Sequence, residues 1–340
     1  MSCDYRESQR WHWGILMLIL LPALMFWVFH GHMGEIWDNI RGIPRGGLLA
    51  LLSLGVIYQL LEAAVCHTLV RPQLKGFSFR QAVEVTCLGV FANVATFGAG
   101  TIPMQSHRLY RLGLTAGSGI GTMTLEYTFH KSAILVYATA MLLLQGRWLA
   151  GQNAGLSRWL LLGYGICTLI IIGLLLLCAW KRLQQLAFGG IDRLPRAREE
   201  RKESWKENLA ALHTQSQRLL RDRRRLGRVL VWNLLKLFCL YLTLFLSVRM
   251  VGVTSLSLWR IQLLGALMHM IVNALPNVAG MGPAEAAFFL IFSGYMGYGQ
   301  LSSALILYRT ATFFFPFLLS AIVFLLVQRY QTGSNASSKT

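Results

Sequence analysis

The feature that most constrains this chain is a series of apolar blocks, each close to the roughly 20 residues a helix needs to cross a bilayer's hydrocarbon. Residues 13–29, 48–70, 119–144, 156–180, 229–251 and 305–327 form such blocks. Two shorter apolar stretches, 82–97 and 261–275, run into breaks rich in Gly and Pro. Helix is the reading for the long blocks, because open strands would leave backbone groups unpaired in lipid. Charged residues are only 14% of the chain, against roughly 25% in a soluble domain, so polar surface is too scarce to coat a water-soluble globule. The expectation is an all-α polytopic membrane protein with about 6 full transmembrane helices. Two interrupted, re-entrant helical hairpins bring it to about 8 membrane segments.

Arg6 and Arg10 precede the first block, and His30-Gly31-His32-Met33 after it offers no small-residue cleavage site, so it reads as a signal-anchor. With both termini placed in the cytoplasm, the inner segments hold 23 of the 32 Lys and Arg and the outer segments hold 5. That asymmetry sets the orientation and accounts for most of the net charge of +18, which leaves little reason to invoke nucleic acid. The chain reads as one membrane domain over 1–340, with a basic cytoplasmic loop at 181–228 and a disordered polar tail at 330–340. The loop carries fourteen Lys and Arg against six Asp and Glu. Trp205, Leu209, Leu212 and Leu219 fall at helical spacing within it, as in an amphipathic helix lying on a membrane. Arg221, Arg223, Arg224, Arg225 and Arg228 would then meet anionic phospholipid headgroups. A solvated loop that only sets topology is the alternative. The six cysteines show no metal-ligand or redox spacing, and no metal, disulfide or cofactor is expected.

Basic residues flank both sides of the 82–100 stretch, so it enters and leaves from the inside. The 252–304 region lies between two outer ends, so it dips in from the outside. The two excursions share a pattern. Counted from Asn93 and Asn273, Ala-Gly falls at +6 and +7 (Gly100, Gly280). A Pro follows at +10 (Pro103, Pro283) and a side-chain carbonyl acceptor at +12 (Gln105, Glu285). Gly98, Pro276 and Gly282 add further breaks. Freed backbone groups are tolerated at membrane depth only where protein or a water-filled cavity covers them. Interrupted segments at matching places in two inverted halves point to a transporter's midplane site. The alternative is ordinary membrane turns, in which Asn, Gly and Pro are common.

At these residues the chain resembles the flippase-like membrane proteins related to the transmembrane region of lysylphosphatidylglycerol synthases. A first signature of that family, T-P-F-G-x-G-G-x-P leading to a basic stretch, is similar to Thr96-Phe97-Gly98-Ala99-Gly100-Thr101-Ile102-Pro103 with Arg108 and Arg111. A second, a Pro and a Gly-rich turn before a helix-opening Glu, is similar to Pro276 through Gly280-Met281-Gly282 to Glu285. The chain departs from the first at the missing Pro after Thr96 and at Thr101 and Ile102. The resemblance implies movement of a lipid between leaflets, the lipid being an aminoacylated phospholipid, a hopanoid or a polyprenyl type. It implies no catalysis in this region.

An ionisable group at the centre of a membrane helix costs at least ~2.5–3.5 kcal/mol and is a functional candidate for that reason. Glu126, His130 and Lys131 share one helix, with Glu126 and His130 on one face. They form either a headgroup site or an internally neutralised group that joins helices. Glu62 needs a partner, with His130 and Arg309 as candidates. Glu285 serves either the site or a helix cap, and Arg309 pairs with it or contacts phosphate. Lys236 and Arg249 read as snorkelling residues, and Gly117 and Gly121 as a packing face. Gln105, Glu126, His130, Lys131, Glu285, Arg309 and Glu62 are thus the candidate binding residues for a lipid transporter. Its rivals are a non-transporting scaffold acting through the basic loop and an intramembrane lipid enzyme.

Overall fold

The computed structural model describes residues 38, 41–96, 98–152, 154–179, 199–274 and 282–337, and every regular element among them is helical. In chain order these are α1 (Arg45–Val70), α2 (Phe79–Ala95), α3 (Thr101–Arg111), α4 (Ala116–Ala150), α5 (Ala154–Ala179) and α6 (Glu199–Arg221). They continue with α7 (Arg223–Met250), α8 (Leu258–Ala274), α9 (Pro283–Phe292), α10 (Tyr298–Arg309), a π turn (Thr310–Phe314) and α11 (Phe315–Ser337). Among the described residues five segments are long and apolar enough to span a bilayer: α1, α4, Ser157–Leu176 within α5, α7, and Tyr298–Arg329 running from α10 into α11. The 13–29 block, Pro276 and Gly280 lie outside the described residues.

One order of helices occurs twice. A long helix (α1) leads into a 17-residue helix (α2), an 11-residue helix (α3) and a long one (α4). The second half repeats this with α7, the 17-residue α8, the 10-residue α9 and the continuous α10–α11. At 1.5 Å per residue α2 and α8 are ~25 Å long, short of the ~30 Å hydrocarbon thickness. Within each half consecutive helices pack together, and across the halves the contacts exchange. The most extensive pairing is α1 with α7, while α2 lies on α11 and α8 lies on α4.

Local chemistry sets the short helices. Ser78 caps α2 by accepting the Gln81 N–H at 3.3 Å, and the Gln81 side chain accepts the Ser78 N–H at 2.9 Å. The turn after α2 needs Gly98 at φ 98°, and α9 starts after Gly282 at φ 91°, conformations that penalise a side chain. Between helices in lipid, close packing and polar contacts carry association. In the core shared by α4, α7 and α8, Tyr137 donates to Gln262 Oε1 at 2.5 Å and sets its ring against Tyr241 at 5.2 Å.

Two expectations change. The loop helix α6 does not offer its whole apolar face to lipid, because Leu212 and Leu219 are buried with Leu125 of α4 and Val65 and Leu69 of α1. A Cβ on Gly121 would meet the Ala211 backbone at 2.8 Å, whereas one on Gly117 would make ordinary contact at 4.0 Å. The Gly117/Gly121 face therefore seats α6. Helix α11 also continues to Ser337, into the stretch read as a disordered tail. Once an apolar helix has nucleated, each added residue gains a hydrogen bond at small cost, and residues 326–337 contain no Pro to stop it.

Candidate functional site

A cavity of about 670 Å³ lies where the turn between α2 and α3 and the end of α8 approach α1 and α4. From the first hairpin come Asn93, Gly98, Ala99, Thr101 and Gln105, and from the second Val272 and Asn273. Tyr58, Gln59 and Glu62 reach it from α1. Met123, Glu126, Tyr127, His130 and Lys131 reach it as one stripe of α4, at the three- and four-residue spacing of a helix face. The π turn adds Thr312 and Phe313. The π turn lies next to Pro316, whose missing N–H removes one helical hydrogen bond there.

The first tip is tied by its own side chains. Gly100 N–H donates to Thr96 Oγ1 at 2.5 Å, and Thr101 Oγ1 donates to Asn93 Oδ1 at 3.2 Å. Toward the basic end of the hairpin, Arg108 bonds Glu84 at 2.7 Å and so fixes α3 on α2. At the second tip Lys131 donates to Asn273 Oδ1, and its ammonium lies 4.8 Å over the Tyr127 ring. Together with the bond from Tyr137 to Gln262, the Lys131–Asn273 bond ties α4 of the first half to α8 of the second.

The charges are unevenly matched. Glu62 pairs with Lys236, whose side chain is fully buried on α7. The partner of Glu62 is thus neither His130 nor Arg309, and Lys236 does not snorkel. Helix α7 begins at Arg223, which puts Lys236 near the middle of the span and far from either interface. Arg249, near the other end, lies over the Phe245 ring at 5.3 Å. Glu126 is 5% exposed, and neither of its oxygens meets a hydrogen-bond donor among the described residues. The Oε1 of Gln59 is likewise unpartnered. A buried carboxyl without a donor is unfavourable by several kcal/mol in order of magnitude, so the cavity holds an unmet demand for a donor or cation.

Glu285 and Arg309 are brought together but not into the cavity wall. Glu285 Oε2 accepts the Gly282 N–H at 2.6 Å as a helix cap, while Oε1 accepts Arg309 Nε at 2.6 Å. The pair fastens the start of α9 to the end of α10, directly before the π turn. Gly100 and Pro103 shape the first turn, and Gly282 and Pro283 start α9, all without lining the cavity. Sequence reading missed Tyr58, Gln59, Tyr127, Thr312 and Phe313, and it misjudged Lys236. The one available signal for Lys236 was the unmatched Glu62.

The model of the lysylphosphatidylglycerol synthase transmembrane region matches residues 13–320. The chain belongs to that family. Within it, the chain is 25% identical to the inner membrane protein YbhN of Escherichia coli (strain K12) over 330 residues, covering 92% of this chain and 88% of that protein. The match takes in both hairpins, the cavity and α6, so the site belongs to the family's membrane region. Of the residues that carried the resemblance, Thr96 and Gly98 to Pro103 sit at the turn between α2 and α3, and Gly282 to Glu285 at the start of α9.

Proposed function

We propose that this family member moves a polar-headgroup lipid between the leaflets of a bacterial inner membrane, with the headgroup held in the central cavity and the tails left in the bilayer. The observation that carries this reading is a cavity holding a cation, Lys131, and an unsatisfied carboxyl, Glu126, on one helix where two helix-hairpin tips meet. Its volume lies within the ~300–1,000 Å³ of small-molecule sites. Lys131 supplies donors to a phosphate, and Glu126 accepts from an ammonium or hydroxyl of the headgroup, as an aminoacylated phospholipid would offer. The repeated helix order supports two halves of opposite orientation, one hairpin entering from each side and each stopping at the site. With that orientation both termini and the basic loop face the cytoplasm.

The test is translocation in proteoliposomes carrying headgroup-labelled lipids, with outer-leaflet label removed chemically over time. Protein-dependent movement of one lipid class, lost by at least about tenfold in Lys131→Met and in Glu126→Gln, is expected; one charge-assisted hydrogen bond at ~1.5–3 kcal/mol has that size. Movement of no lipid by the wild-type protein would overturn the reading and favour a scaffold working through the basic loop. Wild-type rates in both variants would overturn the site.

A further inference from the structure

A second site lies on the opposite face of α1. Successive helix residues turn by 100°, which puts Tyr58, Gln59 and Glu62 on one side of α1 and Ile57, Leu60, Leu61 and Ala64 on the other. The first set lines the cavity described above. The second lines a separate groove of about 430 Å³, which is completed by Arg228 and Trp232 of α7, Phe79 of α2 and, further along α1, His67 and Thr68. Ile57 and Leu60 are each 42% exposed along it. At Arg228 and Trp232 the groove opens onto a further hollow along α7, walled by Arg224, Gly227 and Val231.

Charge is arranged at one end only. Arg224 and Arg228 are one helical turn apart and point to the same side of α7. Among the described residues neither meets a carboxylate, whereas the neighbouring Arg225 pairs with Asp222 at 3.0 Å. Between the two arginines Gly227 leaves open space, since a Cβ there would meet nothing within 4 Å. Helix α7 has 28 residues where ~20 span the hydrocarbon, so its first turns, with both arginines, sit at headgroup depth. Trp232, one turn further in, walls the slot below the arginines. The nearby Asp222 carboxylate is in direct contact with Arg225 and acts on Arg228 at longer range. Two guanidiniums around a gap, above an apolar slot that runs toward the bilayer interior, complement a phosphate with an acyl chain below it.

We propose that the α1–α7 groove binds one anionic phospholipid, its phosphate between Arg224 and Arg228 and an acyl chain along Ile57, Leu60 and Leu61. The site is distinct from the translocation cavity and does not depend on the transport reading. It commits the ligand to a negatively charged glycerophospholipid rather than to a free phosphate or a neutral lipid.

The test uses the full chain in nanodiscs with phosphatidylglycerol bearing a photoreactive diazirine in one acyl chain, followed by peptide mapping. Adducts are expected in both the 57–64 and 228–232 segments. Excess unlabelled phosphatidylglycerol should displace them, while phosphatidylcholine or glycerol phosphate should not. Arg224→Gln with Arg228→Gln should weaken the competition by at least about tenfold, as two surface arginines at ~1 kcal/mol each imply. Equal competition by phosphatidylcholine would overturn the proposal by showing unselective boundary lipid. An absence of adducts in the groove would also overturn it, and would point to a protein segment such as 13–29 as the occupant. The competition arms use the wild-type protein and stay decisive even if the double variant misfolds.

Discussion

Lys236 shows what a single residue contributes and why it was hard to read. Its block looked as though it began at Val229, so a lysine seven residues in passed for a snorkelling side chain. The helix begins at Arg223, and the same lysine lies buried in the middle of the span against Glu62, 174 positions earlier in the chain. Arg309 was displaced in the same way, because the last span begins at Tyr298 and not at Leu305. Hydropathy marks where apolar residues are dense, but a helix continues through charged residues that find partners in space. Removing one member of such a pair leaves an uncompensated buried charge. Lys236→Met should therefore lower stability by about 3–5 kcal/mol, while Lys236→Met with Glu62→Gln should recover most of the loss. Thermal unfolding in detergent, followed by size-exclusion chromatography, checks this; a double variant no more stable than the single one would contradict the pairing.

At the scale of elements, the five described spans, the short helices α2 and α8 and the existence of α6 were legible, since each leaves a run of apolar residues or an amphipathic spacing. What covers an amphipathic face was not. The spacing of Leu212 and Leu219 says that α6 has an apolar side, and lipid or protein satisfies that pattern equally well. Helix α4 decides the matter: at 35 residues it is ~52 Å long and outreaches the hydrocarbon, so its first turns are free to receive α6. The seat depends on Gly121 far more than on Gly117, given the 2.8 Å and 4.0 Å approaches to Ala211. Gly121→Leu should cost ~1–3 kcal/mol by overpacking and unseat α6, whereas Gly117→Ala should be tolerated. The loop is rich in tryptic sites, so limited proteolysis reads the outcome directly. Faster cleavage within 199–221 in Gly121→Leu and not in Gly117→Ala is expected; equal rates in both and in wild type would contradict the contact.

At the scale of the molecule, the repeated order of helices explains why matching residues converge on one place. Asn93 lies near the end of α2 and Asn273 near the end of α8, and both line the cavity. The two asparagines from which the pattern is counted thus share one cavity. The match does not extend to every position, because Gln105 lines the cavity while its counterpart Glu285 is held by Arg309 and the start of α9. In the proposed arrangement, two halves of opposite orientation would expose the site to each side in turn by rocking one against the other.

Central to the proposed transport is one headgroup cavity that is exposed to each side of the membrane in turn. The most direct measurement places one cysteine at Thr101→Cys in the first tip, or at Val272→Cys in the second, in a background lacking the six native cysteines, and modifies it with a membrane-impermeant thiol reagent from each side. The account predicts that each position is modified from both faces and is protected by the transported lipid. Modification of Thr101→Cys from the arginine-rich face alone and of Val272→Cys from the other face alone would contradict it, leaving two separate vestibules in place of a shared site.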